Sequence, residues 1–241
     1  RREMDNLRIS DIYDNLIVRT GYMKALENEN TDSIANDNLK YIVNDYNRNL
    51  EVLSRDSIAE VTEEVYHGKY IFSSEREIKK VLNKKLDDKN KEYEKKYGVS
   101  ISSNVLSIKN TDDPINLEVT THLKISKNKD RFSGNLKSIT SVEGLKDPLP
   151  YAILTPYSGI WHDDKKIHYG TTLTTYLTAH GIDKPEGYLG ATSPLIIKKC
   201  PYDPYIHHGD GDTLQNCLKN GYFHESADGS CYLCRLEGKG I

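Results

Sequence analysis

At Gly98 the spacing of apolar residues changes, and this constrains the fold more than any other feature of the chain. Before it, apolar side chains recur at three- and four-residue steps, the period of one helix face. After it they alternate with polar residues, the period of a strand with one wet side. Segregated runs of this kind specify an α+β fold: long N-terminal helices, then an antiparallel sheet, then a loop-rich, cysteine-containing C-terminal segment. The same change divides the chain into a helical region, 1–98, and an antiparallel β region, 99–241.

Three helices are expected. Ile9, Ile12, Leu16, Met23 and Leu26 line one face over 3–28. Leu39, Val43, Tyr46, Leu50, Leu53, Ile58, Val61 and Val65 do so over 33–66, with Gly68 closing the helix. In the third, Ile78, Leu82, Leu86, Tyr93 and Tyr97 form the stripe. Ser74 and Glu77 have capping-box spacing there, and Gly98 is the stop. Residues 99–110, 115–127 and 132–145 read as an antiparallel meander, with TDDP as its first turn. From 151 to 200 the chain is rich in Gly, Pro and Tyr, which predicts short strands and long loops. Seventeen tyrosines against three phenylalanines point to thin, half-exposed layers rather than a thick apolar core.

Charge excludes one class of partner. The net charge is −3, and the lysines of 79–96 alternate with Asp87, Asp88, Glu92 and Glu94. That is a solvated helix face, so no nucleic-acid partner is expected. The chain contains no phosphate-binding glycine loop, nucleophile elbow or HExxH. The reading therefore leans away from an enzyme, with no catalytic residue and no cofactor assigned.

The segment from Cys200 to Cys234 holds all four cysteines. Cys200, Cys217, Cys231 and Cys234 are candidates for two disulfides, or for a four-thiolate zinc site with Cys231–Cys234 as its one CxxC knuckle. Two pairings are expected on the disulfide reading: Cys217–Cys231 with Cys200–Cys234, or Cys217–Cys234 with Cys200–Cys231. The short Cys231–Cys234 ring is disfavoured as typical of labile redox pairs. Closing the Cys217–Cys231 loop would contribute roughly 3 kcal/mol in the chain-entropy picture. His207, His208, Asp210 and Asp212 form a second candidate, a divalent-ion site for zinc or calcium, against the plain reading of a polar turn. On the alternative reading of a metal-dependent hydrolase or binding module, Asp203 joins them and His224 or Glu225 acts as acid or base. WHDD, which contains His162, would lie near this loop and supply carboxylates; His122, inside a strand, reads as a satisfied or surface histidine.

SITSVEGLKDPLP (138–150) and the terminal CYLCRLEGKGI (231–241) resemble stretches of archaeal pilin-like and related membrane-anchored surface proteins. The resemblance implies an N-terminal hydrophobic helix that runs into a soluble one and then an antiparallel sheet. Residues 3–28 would then continue a membrane anchor preceding Arg1, with Arg1–Arg2 as its polar flank. It further implies an extracytoplasmic ectodomain with a structural, adhesive or assembly role, partnered by the membrane and by other proteins or copies of itself. Two features depart from the family. The helices over 33–97 are long for a pilin head, and no asparagine lies in an N-x-Ser/Thr acceptor.

Overall fold

The computed structural model describes residues 37–152, 159–179, 181, 185–190, 192–201, 222–223 and 231–239. The helix expected over 3–28 lies outside them. The fold is α+β: two long helices on one face of a three-stranded antiparallel sheet, followed by a second, smaller sheet and a short C-terminal helix.

Helix α1 (Asp37–Tyr66) buries Leu39, Val43, Tyr46, Leu50, Ile58, Val61 and Val65 of the stripe read from the sequence, with Leu53 half-buried, and adds Ile42, which that reading did not include. It ends as expected, with Gly68 at positive φ donating to Val65 O. Helix α2 (Ser74–Tyr97) buries Ile78, Leu82, Leu86 and Tyr93, and Gly98 caps it in the left-handed region, donating to Glu94 O. Its start differs from expectation. The N-cap is Ser73, whose hydroxyl accepts from Arg76 N, and not Ser74. The N–H and hydroxyl of Ser74 are both taken by Glu237 Oε1, each at 2.8 Å, so the C-terminal segment caps this helix from outside.

Strands β1 (Ser100–Asn110), β2 (Asn116–Lys127) and β3 (Asp130–Ser141) form the meander in the order β1-β2-β3. The alternation holds except at Leu106, which sits in a bulge between Val105 and Ser107. The inserted residue shifts the parity by one, so that Ile108 rather than Ser107 turns to the core. The inner face carries Leu117, Val119, Leu123, Ile125, Phe132 and Leu136, and it shares one continuous core with α1 and α2. Small residues, Gly134, Ser138 and Thr140, mark β3, the strand against which α1 packs. The hydroxyls of Ser54, Thr121, Ser138 and Thr140 are buried there without a hydrogen-bond partner.

Tyrosines seal the contact between the helices. Tyr46 bonds Asn90 Oδ1 and Ser103 Oγ, and burial pushes its phenol up to about 12. Tyr93 and Tyr97 both donate to Asp45 Oδ2, at 2.6 and 3.2 Å. Three edge-to-face ring contacts link Tyr41, Tyr46, Tyr93 and Tyr97.

Helix side chains occupy part of each sheet edge. Asn83 and Glu75 of α2 accept from the N–H groups of Val105 and Ile108 on β1. Arg55 of α1 donates to the carbonyls of Ser141 and Glu143 where β3 ends.

Beyond the meander, α3 (Leu149–Ala152) precedes a small antiparallel sheet of β4 (Trp161–His162), β5 (Lys166–His168) and β6 (Thr192–Pro194). Helix α4 (Thr172–Ala179) falls where only strands and loops were expected. Its threonines are poor helix formers. The hydroxyls of Thr174, Thr175 and Thr178 are turned back onto preceding carbonyls, and the buried Leu173 anchors the helix. Helix α5 (Tyr232–Leu236) docks the C-terminal segment onto α1 and the chain around Lys146. Its Tyr232 hydroxyl meets Thr62 Oγ1 and donates to Lys146 O. Arg235, fully buried, forks onto the equally buried Asp147. No helix among the described residues is long and apolar enough to cross a membrane.

Candidate functional site

The outer face of the large sheet is open, and strand register fixes what it displays. Side chains directly opposite on neighbouring strands share a face, so each outward row is a triplet. Three successive rows at the end nearest the β2–β3 turn are Asn104–His122–Asn135, Ser102–Lys124–Ser133 and Ser100–Ser126–Arg131. These nine side chains comprise four hydroxyls, two amides, one imidazole and two permanent cations, with no carboxylate and no aliphatic group among them.

His122 is held in this grid by its neighbours on β3: Nδ1 lies 2.7 Å from Asn135 Oδ1 and Nε2 3.3 Å from Ser133 Oγ. It is the surface histidine expected from the sequence. Lys124 and Arg131 make no ion pair among the described residues, whereas Lys137, in the next row of the same face beyond Asn135, reaches Glu118. The last two rows border an open depression of about 410 Å³, lined by Ser100, Ser102, Ser126 and Ser133, by Lys124 and Arg131, by Ile125 and Phe132, and by the turn residue Asn128. Asn128 has φ 57°, the left-handed backbone that a two-residue hairpin turn requires. The acidic residue of this turn, Asp130, has the parity of the inner face, since its register partner is Lys127.

Such a surface recognises anions. Hydroxyls and amides supply neutral donors, the guanidinium a planar fork and the ammonium a mobile point charge. The face also holds one hydroxyl–imidazole–amide series, Ser133, His122 and Asn135. Sequence reasoning missed the cluster because it looked for basic helices. The signal was present in residues 124–131, KISKNKDR, where four cations meet one acid in a chain whose net charge is negative.

The sequence-derived candidates fare differently. Cys231 and Cys234 are joined to each other, with Cα atoms 5.0 Å apart, which corrects both pairings expected above. The physical reason is local: Cys231 is the N-cap of α5, its Sγ accepts from Cys234 N at 3.2 Å, and one helical turn brings the two sulfurs together. Cys200 is buried, and Cys217 lies outside the described residues. So do Asp203, His207, His208, Asp210, Asp212, His224 and Glu225, the residues of the alternative metal site. Among the described residues no group of three His, Cys, Asp or Glu side chains is placed to hold a metal ion.

His162 lies on β4 against Tyr151, which stacks in turn on Tyr66. Its neighbour Asp163 does not face a metal: Oδ2 is 2.8 Å from His168 Nε2, and Oδ1 accepts the N–H groups of Lys165 and Lys166. The bond from His168, reinforced by those N–H groups, holds this carboxyl down to about 2.

Comparison with protein-family models, with curated proteins and with solved structures gave no match.

Proposed function

We propose that this chain is the ectodomain of a membrane-anchored surface protein, non-enzymatic, with an adhesive or assembly role, and that the open sheet face is its contact surface. The observation that supports this reading is the grid around Lys124 and Arg131, a polar, carboxylate-free surface whose two cations make no ion pair among the described residues, over a depression bordered by four serines. Charge complementarity selects the occupant: a sulfated or phosphorylated glycan of a cell surface, whose anionic groups meet the cations and whose hydroxyls meet the serines. The resemblance of 138–150 and 231–241 to archaeal pilin-like surface proteins supports the same setting.

Retention on immobilised dextran sulfate tests the surface. The protein binds at low salt and elutes as salt rises. Lys124→Ala with Arg131→Ala elutes earlier and lowers the log–log salt slope by about 1 per cation removed. Unchanged elution of the double variant refutes the role of this face. Labelling of intact cells with a membrane-impermeant amine reagent tests the setting: an ectodomain is labelled without lysis, and labelling only after lysis overturns it.

A further inference from the structure

The chain's single tryptophan is held at the surface by three successive layers of support. Trp161 and His168 are register partners on the β4–β5 hairpin and so share a face. His162 and Ile167 share the other, where Ile167 is fully buried. Trp161 thus points outward and stays 55% exposed. One face of its indole lies on the His168 imidazole, with centroids 3.7 Å apart and planes 2° from parallel. The imidazole is fixed by Asp163 Oδ2, and Asp163 is fixed by the two N–H groups of its own turn, each at 2.8 Å. An exposed ring normally retains rotamer freedom. Here that freedom is spent before any ligand arrives, which is what a preorganised contact requires.

The surroundings narrow the ligand. The residues that follow, Asp163, Asp164, Lys165 and Lys166, are all charged and exposed, and the hairpin contributes no other exposed apolar side chain. A lipid surface or an apolar protein groove would have to desolvate these charges to reach one indole. An alkylammonium ligand needs several rings around it and no competing cation, yet Lys166 lies on the same face, next to His168 along β5. The remaining class has one flat, weakly apolar face and a polar rim. Thr192, the β6 partner of His168, extends the row across the small sheet and, with Lys166, offers hydrogen bonds beside the ring.

We propose that Trp161 is the stacking platform of a carbohydrate-binding subsite that takes one pyranose ring, its axial C–H groups against the open indole face and its hydroxyls toward Thr192 and Lys166. The polarised C–H groups meet the negative face of the π system. This inference rests on the small sheet alone and does not require the basic face of the large one.

Because Trp161 is the chain's sole indole, its emission reports this site directly. Titration with four neutral oligosaccharides (cellohexaose, maltohexaose, chitohexaose and mannohexaose) produces a saturable emission change with at least one of them. Calorimetry with that sugar shows Trp161→Ala weakened about tenfold or more, Trp161→Phe retaining most of the affinity, and His168→Ala weakened about threefold. Trp161→Phe keeps a ring and guards against a folding artefact. Retention of Trp161→Ala on dextran sulfate is unchanged, which separates this site from the sheet face. No saturable response to any of the four sugars overturns the proposal. So does a Trp161→Ala variant that binds as tightly as the parent. An emission shift on phosphatidylcholine–phosphatidylglycerol vesicles without a response to sugar assigns the ring to a membrane surface instead and also overturns it.

Discussion

Leu117 and Arg235 are both fully buried, and opposite physics keeps each of them there. Leu117 lies on the central strand of the large sheet, in a core continuous from α1 through α2 to β3, where burial is shared among many neighbouring side chains. Arg235 lies in the C-terminal helix, and the buried carboxylate of Asp147 pairs with it. Around Arg235 the docking also depends on individual polar contacts, Tyr232 with Thr62 and Glu237 with Ser74, beside the apolar Leu236 and Phe223. The helix–sheet body is thus held by many interchangeable contacts, and the C-terminal segment by a few that are not.

Asp147→Ala is the harshest test of this difference. It removes the carboxylate paired with a buried guanidinium, at about 3–5 kcal/mol, although no more heavy atoms are lost than in a Leu→Ala truncation. Equilibrium denaturation measures the loss, and hydrogen exchange is expected to show 231–239 opening before α1. Adding Arg235→Met to the same variant should recover at least half of the loss, because an apolar replacement for a buried pair is close to neutral. If the double variant is no better than the single one, the distinction between the two regions fails.

Leu117→Ala comes next, at about 2–5 kcal/mol. Its effect should be global: chemical denaturation follows one transition, with the protection of α1 and of 231–239 falling together. A loss confined to the sheet would break the comparison from the other side.

Thr140→Val sharpens it within the body. The threonine hydroxyl is buried without a partner, so the valine removes a desolvation penalty at nearly constant volume and should stabilise by about 1 kcal/mol in the same measurement. A destabilised Thr140→Val variant would mean that this hydroxyl is satisfied.

The smallest effect concerns pH. Asp163 has a carboxyl depressed to about 2, chiefly by His168, so the contribution of this pair is fully present above the ordinary carboxylate range. It is lost as pH falls from about 4 through about 2. Trp161 emission should show a transition in that window, and His168→Ala should move it upward. Identical titrations would disconnect the ring from the carboxylate.

The same contrast explains what the sequence could reveal. Periodic packing writes itself along the chain: the stripe from Leu39 to Val65 and the alternation from Ile115 to Ile125 mark α1 and β2 directly. Contacts that are single and long-range leave no period. Nothing in Glu237 announces that it caps a helix more than 160 residues earlier, and the apparent capping box at Ser74 and Glu77 was displaced by it. Strands of two or three residues are too short to alternate, so β4, β5 and β6 were legible only as a tendency of the whole stretch. The cysteine pairing was misread because long-range stapling was weighed and the first turn of a five-residue helix was not. For the sheet face, residue type alone was insufficient: Lys124 and Arg131 become one surface only once hairpin register sets them on adjacent rows.

The side chains that occupy the sheet's edges limit how copies of this protein can join. A growing β-fibre extends by offering the bare amide groups of its outermost strand to the next chain. On β1 the N–H groups of Val105 and Ile108 already face Asn83 and Glu75, and at the end of β3 Arg55 holds two carbonyls. An incoming strand must evict these residues to pair at those positions. Strand addition to this sheet is therefore disfavoured beside Val105 and Ile108 on β1 and at the end of β3.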